Sequence, residues 1–237
     1  MIIATNVSKK FSKLQVLDNV SLTCNKGECI SLIGPNGSGK TTLIKCMLGM
    51  VMPDSGFITF NGVNSLHDWA YRNQIGYMPQ IGRYPDNMSI GSLLSMMKDI
   101  RNHQGVLDEE LIFSLGISSM LHKKMRTLSG GTRQKVSAVL AFLFNPEILI
   151  LDEPTAGLDP VSTEILKTKI NSEKTKGKLI LITSHVLSEL DDLVTQVVFL
   201  QDGKLVFHQS IQDLQMLTGE IKLNKAIAKI MQQQAAV

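Results

Sequence analysis

The chain has 237 residues, of which 43% are hydrophobic and 19% are charged, and its formal net charge is +3. This composition is typical of a globular protein with a sizeable core and argues against a disordered chain. Because the net charge is small and the basic residues are scattered, the sequence does not predict a nucleic-acid-binding surface.

The cysteines and the apolar runs indicate the cellular compartment. Three cysteines without paired spacing, Cys24, Cys29 and Cys46, argue against a disulfide framework and for a reducing cytosol. The longest apolar stretch, 136–144, is far shorter than the roughly 20 residues that span a bilayer. Residues 1–11 lack the charged-then-apolar architecture of a signal sequence. We therefore expect a chain that is neither secreted nor membrane-spanning by itself.

Strand and helix patterns alternate along the chain. Strands are predicted over 2–3, 16–23, 29–33, 57–60, 75–78, 148–151 and 179–183. The last two runs are almost entirely apolar, as in central parallel strands with both faces buried. Each is followed by a helical pattern, which predicts βα units and a parallel sheet.

A helical insertion divides this α/β core in sequence. Residues from about 85 to 145 are rich in Leu, Met and Ser, with helical spacing. The sequence therefore predicts one domain with its core over about 1–84 and 146–210. The helical subdomain covers about 85–145, and a helical tail covers about 211–237.

Residues 34–41, Gly-Pro-Asn-Gly-Ser-Gly-Lys-Thr, follow a predicted strand, open a helix and fit the pattern G-x-x-x-x-G-K-S/T completely. Glycines let backbone N–H groups approach phosphate oxygens, and the helix presents its positive end to the same anion. Lys40 adds a point charge for the β- and γ-phosphates, and Thr41 supplies a hydroxyl for Mg²⁺. A plain glycine turn would not require Gly-Lys-Thr, so the pattern predicts a phosphate site.

Two adjacent carboxylates, Asp152 and Glu153, follow the apolar run at 148–151. They are therefore predicted at the sheet edge where α/β proteins bind ligands. Asp152 would support Mg²⁺, directly or through water, and Glu153 would orient and activate the attacking water. A nearby cation would keep both carboxylates ionised. The alternative is a solvated pair at a strand end.

A second helix start, at Leu128-Ser129-Gly130-Gly131, has the features of an anion site. Ser129 is a suitable N-cap, and the two glycines permit close backbone approach. One γ-phosphate already has a helix terminus after residues 34–41. A second phosphate-seeking terminus therefore suggests a site shared between two chains.

This second motif resembles the signature of the ATP-binding cassette (ABC) ATPases, and further elements of that family follow in order over roughly residues 1 to 210. Gln80, after Met78-Pro79, resembles the Q-loop residue that senses Mg²⁺ and the membrane partner. Gly157-Leu158-Asp159 resembles the D-loop. His185 resembles the switch histidine that contacts the γ-phosphate. Phe11 lies where the family usually has an adenine-stacking Tyr.

The resemblance implies roles for a set of residues. The catalytic residues would be Lys40, Gln80, Glu153 and His185. The Mg²⁺ ligands would be Thr41, Gln80 and Asp152. The ATP-binding residues would be Phe11, Gly34, Pro35, Asn36, Gly37, Ser38, Gly39, Lys40, Thr41, Thr42, Ser129, Gly130, Gly131 and Asp159. Taken alone, Asp159 can simply cap the helix begun by Pro160, and His185 and Phe11 can be ordinary surface and core residues.

Two positions depart from the commonest family pattern. Thr132 replaces the usual Gln after the signature glycines, and Phe11 replaces Tyr. Neither change removes a catalytic charge.

The resemblance also implies a fold, a homodimer and a membrane partner. The fold is a P-loop NTPase α/β core with a mostly parallel sheet, a small antiparallel β part and an inserted helical subdomain. Two copies would close head to tail over two ATP molecules with Mg²⁺. An integral membrane permease on another chain would hold the cassette peripherally at the cytoplasmic face of the cell membrane. The docking groove is predicted over 80–97, with Tyr84, Met88, Ile90 and Leu93 as apolar anchors.

The alternative is a soluble ABC ATPase that acts on nucleic acid or ribosomes. Relatives of that kind carry a long coiled coil or a second cassette, which this sequence lacks, so no nucleic-acid partner is expected. The motifs above do not identify the transported cargo. Residues 128–136, 156–161 and 184–190 are similar to the ATPase of the copper-maturation transporter for nitrous-oxide reductase, within an ABC-2-like export group.

Overall fold

The computed structural model describes residues 1–65, 69–102, 104–184 and 192–235. The strands in these ranges are β1 (Ile2–Phe11), β2 (Leu14–Cys24), β3 (Cys29–Ile33), β4 (Ser55–Phe60), β5 (Val63–Asn64), β6 (Ile75–Met78), β7 (Ile148–Asp152), β8 (Leu179–Thr183), β9 (Gln196–Gln201) and β10 (Lys204–Ser210). The α-helices are α1 (Lys40–Met47), α2 (Ile90–Arg101), α3 (Glu110–Ser114), α4 (Gly130–Phe142), α5 (Pro160–Thr175), α6 (Ile211–Thr218) and α7 (Leu223–Ala235). None of the described helices has the length and apolar character that crossing a bilayer requires.

The chain forms two compact units, the first comprising Met1–Trp69 with Leu181–Val237 and the second comprising Ala70–Ile180. In the first unit, an antiparallel sheet has the strand order β2-β1-β4-β5. A second sheet pairs β9 in parallel with β3 and antiparallel with β10. β3 is buried at all five positions. Residues 34–41 therefore follow the carboxyl end of a fully buried strand, the position at which α/β folds bind ligands.

The cysteines of the first unit pack inside it. Cys24, Cys29 and Cys46 are free thiols and are buried. Burial raises the pKa of the Cys24 thiol to about 12 and that of Cys46 to about 11. Thiols this hard to ionise are structural rather than reactive.

The second unit is built on the parallel pair β6 and β7, in which Ile75 is opposite Ile148 and Met78 is opposite Leu151. Every residue of β7 is buried. α4 lies so close to β6 that a Cβ on Gly76 would lie 2.0 Å from the backbone oxygen of Ala141. α2 begins after Ser89, whose side chain accepts a hydrogen bond from the Ser92 N–H. The strand β8 falls at the boundary between the two units along the chain.

All seven predicted strands are present, but the sequence patterns missed part of the sheet structure. β1 runs to Phe11 rather than ending after two residues, and β9 and β10 were not predicted. The turn between β9 and β10 contains Asp202-Gly203, and both residues have positive φ. An Asp-Gly pair between apolar runs is a hairpin signal that would have identified these two strands.

A network of ion pairs lies inside the second unit, on α5. The ammonium of Lys169 lies 2.5 Å from Asp108, 2.7 Å from Glu110 and 3.2 Å from Glu173. The Lys169 and Glu173 side chains are 1% and 0% exposed. Burial alone would raise the pKa of Glu173, but hydrogen bonds from Lys176 and Lys178 lower it to about 2. This carboxylate therefore contributes stability above its usual pKa, and the contribution is lost as the pH falls towards 2.

We expect Lys169→Ala to lower the free energy of unfolding by about 3–5 kcal/mol, because it breaks a buried ion-pair network. Asp108 loses its ion-pair partner, and Glu173 keeps two of its three. Lys167→Ala, on the same helix, is the control. Among the residues that the structure describes, Lys167 pairs with the exposed Glu164 alone, so its removal should change the free energy of unfolding by no more than about 0.5 kcal/mol. Denaturant unfolding followed by circular dichroism measures both. Equal effects would show that the network does not stabilise the fold.

Candidate functional site

In the first unit, the glycines of residues 34–41 are required by their surroundings. Gly34 has φ 148°, and a Cβ there would lie 2.0 Å from the backbone oxygen of Leu200 in β9. Gly39 has φ 101°, and its Cβ would lie 2.6 Å from the oxygen of Val16. Both ends of the loop thus pack against the backbone of neighbouring strands. The backbone N–H groups of the loop are the groups that can bind a phosphate.

Lys40 is the first residue of α1, and its side chain folds back onto the start of the loop. Its ammonium donates to the carbonyl oxygens of Gly34 at 2.7 Å and Pro35 at 3.0 Å. The N-cap residue of α1 is Gly39, which has no side chain with which to cap the helix. First-turn N–H groups that no side chain caps form an anion site. Thr41 is exposed and Thr42 is half-buried. With the uncapped helix start and the Lys40 ammonium, the loop has the groups that bind a polyphosphate.

In the second unit, Asp152 ends β7 and is buried. Burial, and secondarily the charge of Asp152, raise the pKa of Tyr77 to about 12. Glu153 follows with φ 50°, a left-handed backbone that is strained for a residue with a side chain. Its carbonyl oxygen accepts a hydrogen bond at 3.2 Å from Nε2 of Gln134 in α4. Such strain persists only where the surrounding structure holds it.

The signature motif caps its own helix. The Ser129 side chain accepts from the Thr132 N–H at 3.2 Å, and the two hydroxyl oxygens lie 2.9 Å apart. The residue that departs from the family pattern therefore supports the N-cap directly. Gly130 has open space where a Cβ would be, whereas a Cβ on Gly131 would lie 2.6 Å from the oxygen of Gly157. Ser129 and Gly130 are exposed.

Asp159 caps α5, the alternative that its sequence context allowed. Its carboxylate accepts from the N–H and the hydroxyl of Ser162, at 2.9 and 2.8 Å, and pairs with Lys135 at 2.8 Å. The hydrogen bond from Lys135, followed by those from Ser162, holds the pKa of Asp159 far below its usual range. The D-loop and the signature helix α4 are thus joined within one chain.

The remaining predicted residues are Phe11, Gln80 and His185. Phe11 ends β1 with 48% of its surface exposed, and the ammonium of Lys9 lies 5.6 Å from its ring centre. An exposed ring of this kind can stack on a nucleotide base. Gln80 is exposed just after β6. His185 lies outside the described residues. Sequence reasoning missed Gln134, because its partner is 19 residues away and no local pattern marks it.

Comparison with known proteins identifies the family. The family described as ABC transporter matches residues 17–156. The uncharacterized ABC transporter ATP-binding protein YdbJ of Bacillus subtilis (strain 168) is 32% identical over 98% of this chain and 74% of its own length. The lantibiotic transport ATP-binding protein SrtF of Streptococcus pyogenes is 32% identical over 86% of this chain and 88% of its own.

The chain belongs to the ABC transporter ATP-binding family. It is an ATPase subunit that uses ATP with Mg²⁺, as the motifs predicted. A solved structure described as the ATP-binding subunit of an ABC transporter has 26% sequence identity and a TM-score of 0.89, covering 98% of this chain and 99% of that one. The predicted P-loop α/β cassette fold is therefore confirmed.

Proposed function

We propose that two copies of this cassette hydrolyse ATP as a head-to-tail homodimer and drive a transporter whose membrane-spanning part is a separate chain. The supporting observation is the exposed, glycine-lined N-terminus of α4, in a chain that already has a complete phosphate loop. A second anion-binding terminus is explained if it serves the ATP bound by another copy.

In this proposal, each ATP is held by Lys40 and the phosphate loop of one copy and by Ser129, Gly130 and Gly131 of the other. Mg²⁺, held through Thr41, Gln80 and Asp152, would neutralise charge on the phosphates. Glu153 orients and deprotonates the attacking water. His185 is proposed to contact the γ-phosphate, and Phe11 to stack on adenine. Hydrolysis then reopens the dimer and moves the docked membrane helices.

A cavity in the second unit supports a membrane partner. It has a volume of about 390 Å³ and is lined by Ile81, Gly82, Arg83, Tyr84, Asp86, Met125 and Arg133. The side-chain Nε of Arg133 is buried and has no hydrogen-bond partner among the described residues. Two of the predicted anchors were wrong, because Ile90 and Leu93 are 0% and 1% exposed and pack inside the unit. We propose that the cavity receives a cytoplasmic segment of the permease that carries a carboxylate for Arg133.

We expect Ile81→Glu to abolish co-purification of the permease from detergent-solubilised membranes, because it places a carboxylate where an acidic segment would dock. Ile81 is 71% exposed, so the substitution should not unfold the protein. Ile100→Glu is the matched control, since Ile100 is 69% exposed but does not line the cavity. Thermal unfolding checks both variants. Normal assembly of Ile81→Glu with a multi-spanning membrane protein would exclude this docking site.

The same experiment addresses the cargo and the location. The name of the lantibiotic transport relative supports a transport role. The sequence similarity noted above suggests two classes of transporter, ABC-2-type export in general and copper maturation. Mass spectrometric identification of the co-purified permease distinguishes the two classes. It also tests whether the cassette is attached to a membrane chain, as the proposed peripheral location at the cytoplasmic face of the membrane requires. Recovery with ribosomes or nucleic acid instead would favour the non-transport alternative.

A further inference from the structure

We propose that Gln134 is a positioning residue for Glu153. Its side-chain amide, on the signature helix α4, holds the Glu153 backbone in the conformation that directs the carboxylate at the attacking water. The inference rests on the assignment of Glu153 as the base under the proposed function.

The backbone of Glu153 needs such a support. Its φ of 50° lies in the left-handed region, which residues with a side chain adopt only when neighbouring groups enforce it. Gln134 Nε2 donates to the Glu153 carbonyl oxygen at 3.2 Å, and Gln134 is 5% exposed. A buried amide has little access to water as a substitute partner, so losing this acceptor leaves its donor unsatisfied. The peptide that follows Glu153 is therefore fixed by α4.

Two further contacts join the start of α4 to the same loop. A Cβ on Gly131 would lie 2.6 Å from the Gly157 oxygen, so only glycine allows this approach. The Lys135 ammonium lies 2.8 Å from the Asp159 carboxylate. With Gln134, the first two turns of α4 contact the loop from 153 to 159 at its beginning, middle and end. Helix α4, which begins with the signature residues, therefore contacts and positions the loop that contains Glu153.

We expect Gln134→Leu, which removes the donor and nearly keeps the volume, to lower kcat by on the order of 10-fold through misplacement of the base. ATP affinity should not change, because the phosphate loop is untouched. Gln134→Glu supplies a readout that a merely structural role would not move. A protonated glutamic acid can donate to the carbonyl oxygen, whereas a carboxylate repels it. The ratio of its kcat to that of the wild type should therefore fall as the pH rises.

Thr218→Val is the control for a general loss of stability. Thr218 is buried and its hydroxyl donates to the Leu214 carbonyl oxygen in the first unit, so the variant also loses a buried bond to the backbone. It should lower the thermal unfolding midpoint without changing kcat. Wild-type kcat in Gln134→Leu would overturn the inference. If that variant does not fold, a pH-independent ratio for Gln134→Glu would overturn it.

Failure of the inference and failure of the assignment beneath it are distinguishable. If Glu153→Gln itself retains turnover, Glu153 is not the base. If Glu153→Gln is inactive while Gln134→Leu is fully active, the assignment of the base stands and only the positioning role of Gln134 is wrong.

Discussion

Replacing Glu153 with glutamine should lower ATP turnover by about 100-fold or more, the usual effect of losing a general base. The amide keeps the size and the backbone contact of the glutamate but cannot accept the proton of the attacking water. ATP binding should be intact, because Lys40 and the phosphate loop are unaltered. The dimer should therefore accumulate in an ATP-bound form, since attack is blocked while the phosphate contacts remain.

Steady-state phosphate release, equilibrium ATP binding and size-exclusion chromatography with ATP measure these three expectations. Glu164→Gln is the matched control, because Glu164 is an exposed carboxylate on α5. It should leave turnover, affinity and elution unchanged. A Glu153→Gln enzyme that hydrolyses ATP near the wild-type rate would show that another group activates the water.

The sequence correctly predicted the structural features that depend on residues close together in the chain. The strand before the phosphate loop was predicted at 29–33 and is β3 at Cys29–Ile33, because an apolar run bounded by turn residues has few other solutions. The phosphate loop needs glycine at fixed spacing, so its sequence identifies it. The cap by Ser129 likewise follows from the residue type at a helix start.

The parts that the sequence did not reveal depend on contacts between distant residues. Ile90 and Leu93 are apolar at the start of a helix, and sequence alone cannot distinguish residues that pack inward from residues that receive a partner. Gln134 has no local signal, since its role appears only when α4 lies against the loop after β7. Arg133 is similar, because the burial of its Nε away from any acceptor in the described part of the chain is a property of packing.

Dilution should lower the ATPase rate of the isolated cassette more steeply than linearly, because the proposed active sites exist only in the dimer. Lys40→Ala should reduce both ATP affinity and turnover, since it removes the charge on the β- and γ-phosphates. Ser129→Arg should block the other half of the site by filling the exposed start of α4. Each variant alone should therefore be inactive, as every site in either homodimer contains one lesion.

Mixing the two variants should restore activity. In a head-to-tail heterodimer, the altered phosphate loop of one copy faces the altered signature of the other, so one site carries both lesions and the second carries none. Rescue should reach at most about a quarter of the wild-type rate at equal mixing, since about half of randomly paired dimers are mixed and each has one intact site. Rescue requires that a single intact site turns over alone. The dilution series does not depend on that condition. A rate strictly proportional to concentration, with sedimentation showing a monomer throughout turnover, would mean that one chain contains a complete site and that Ser129 serves no second copy.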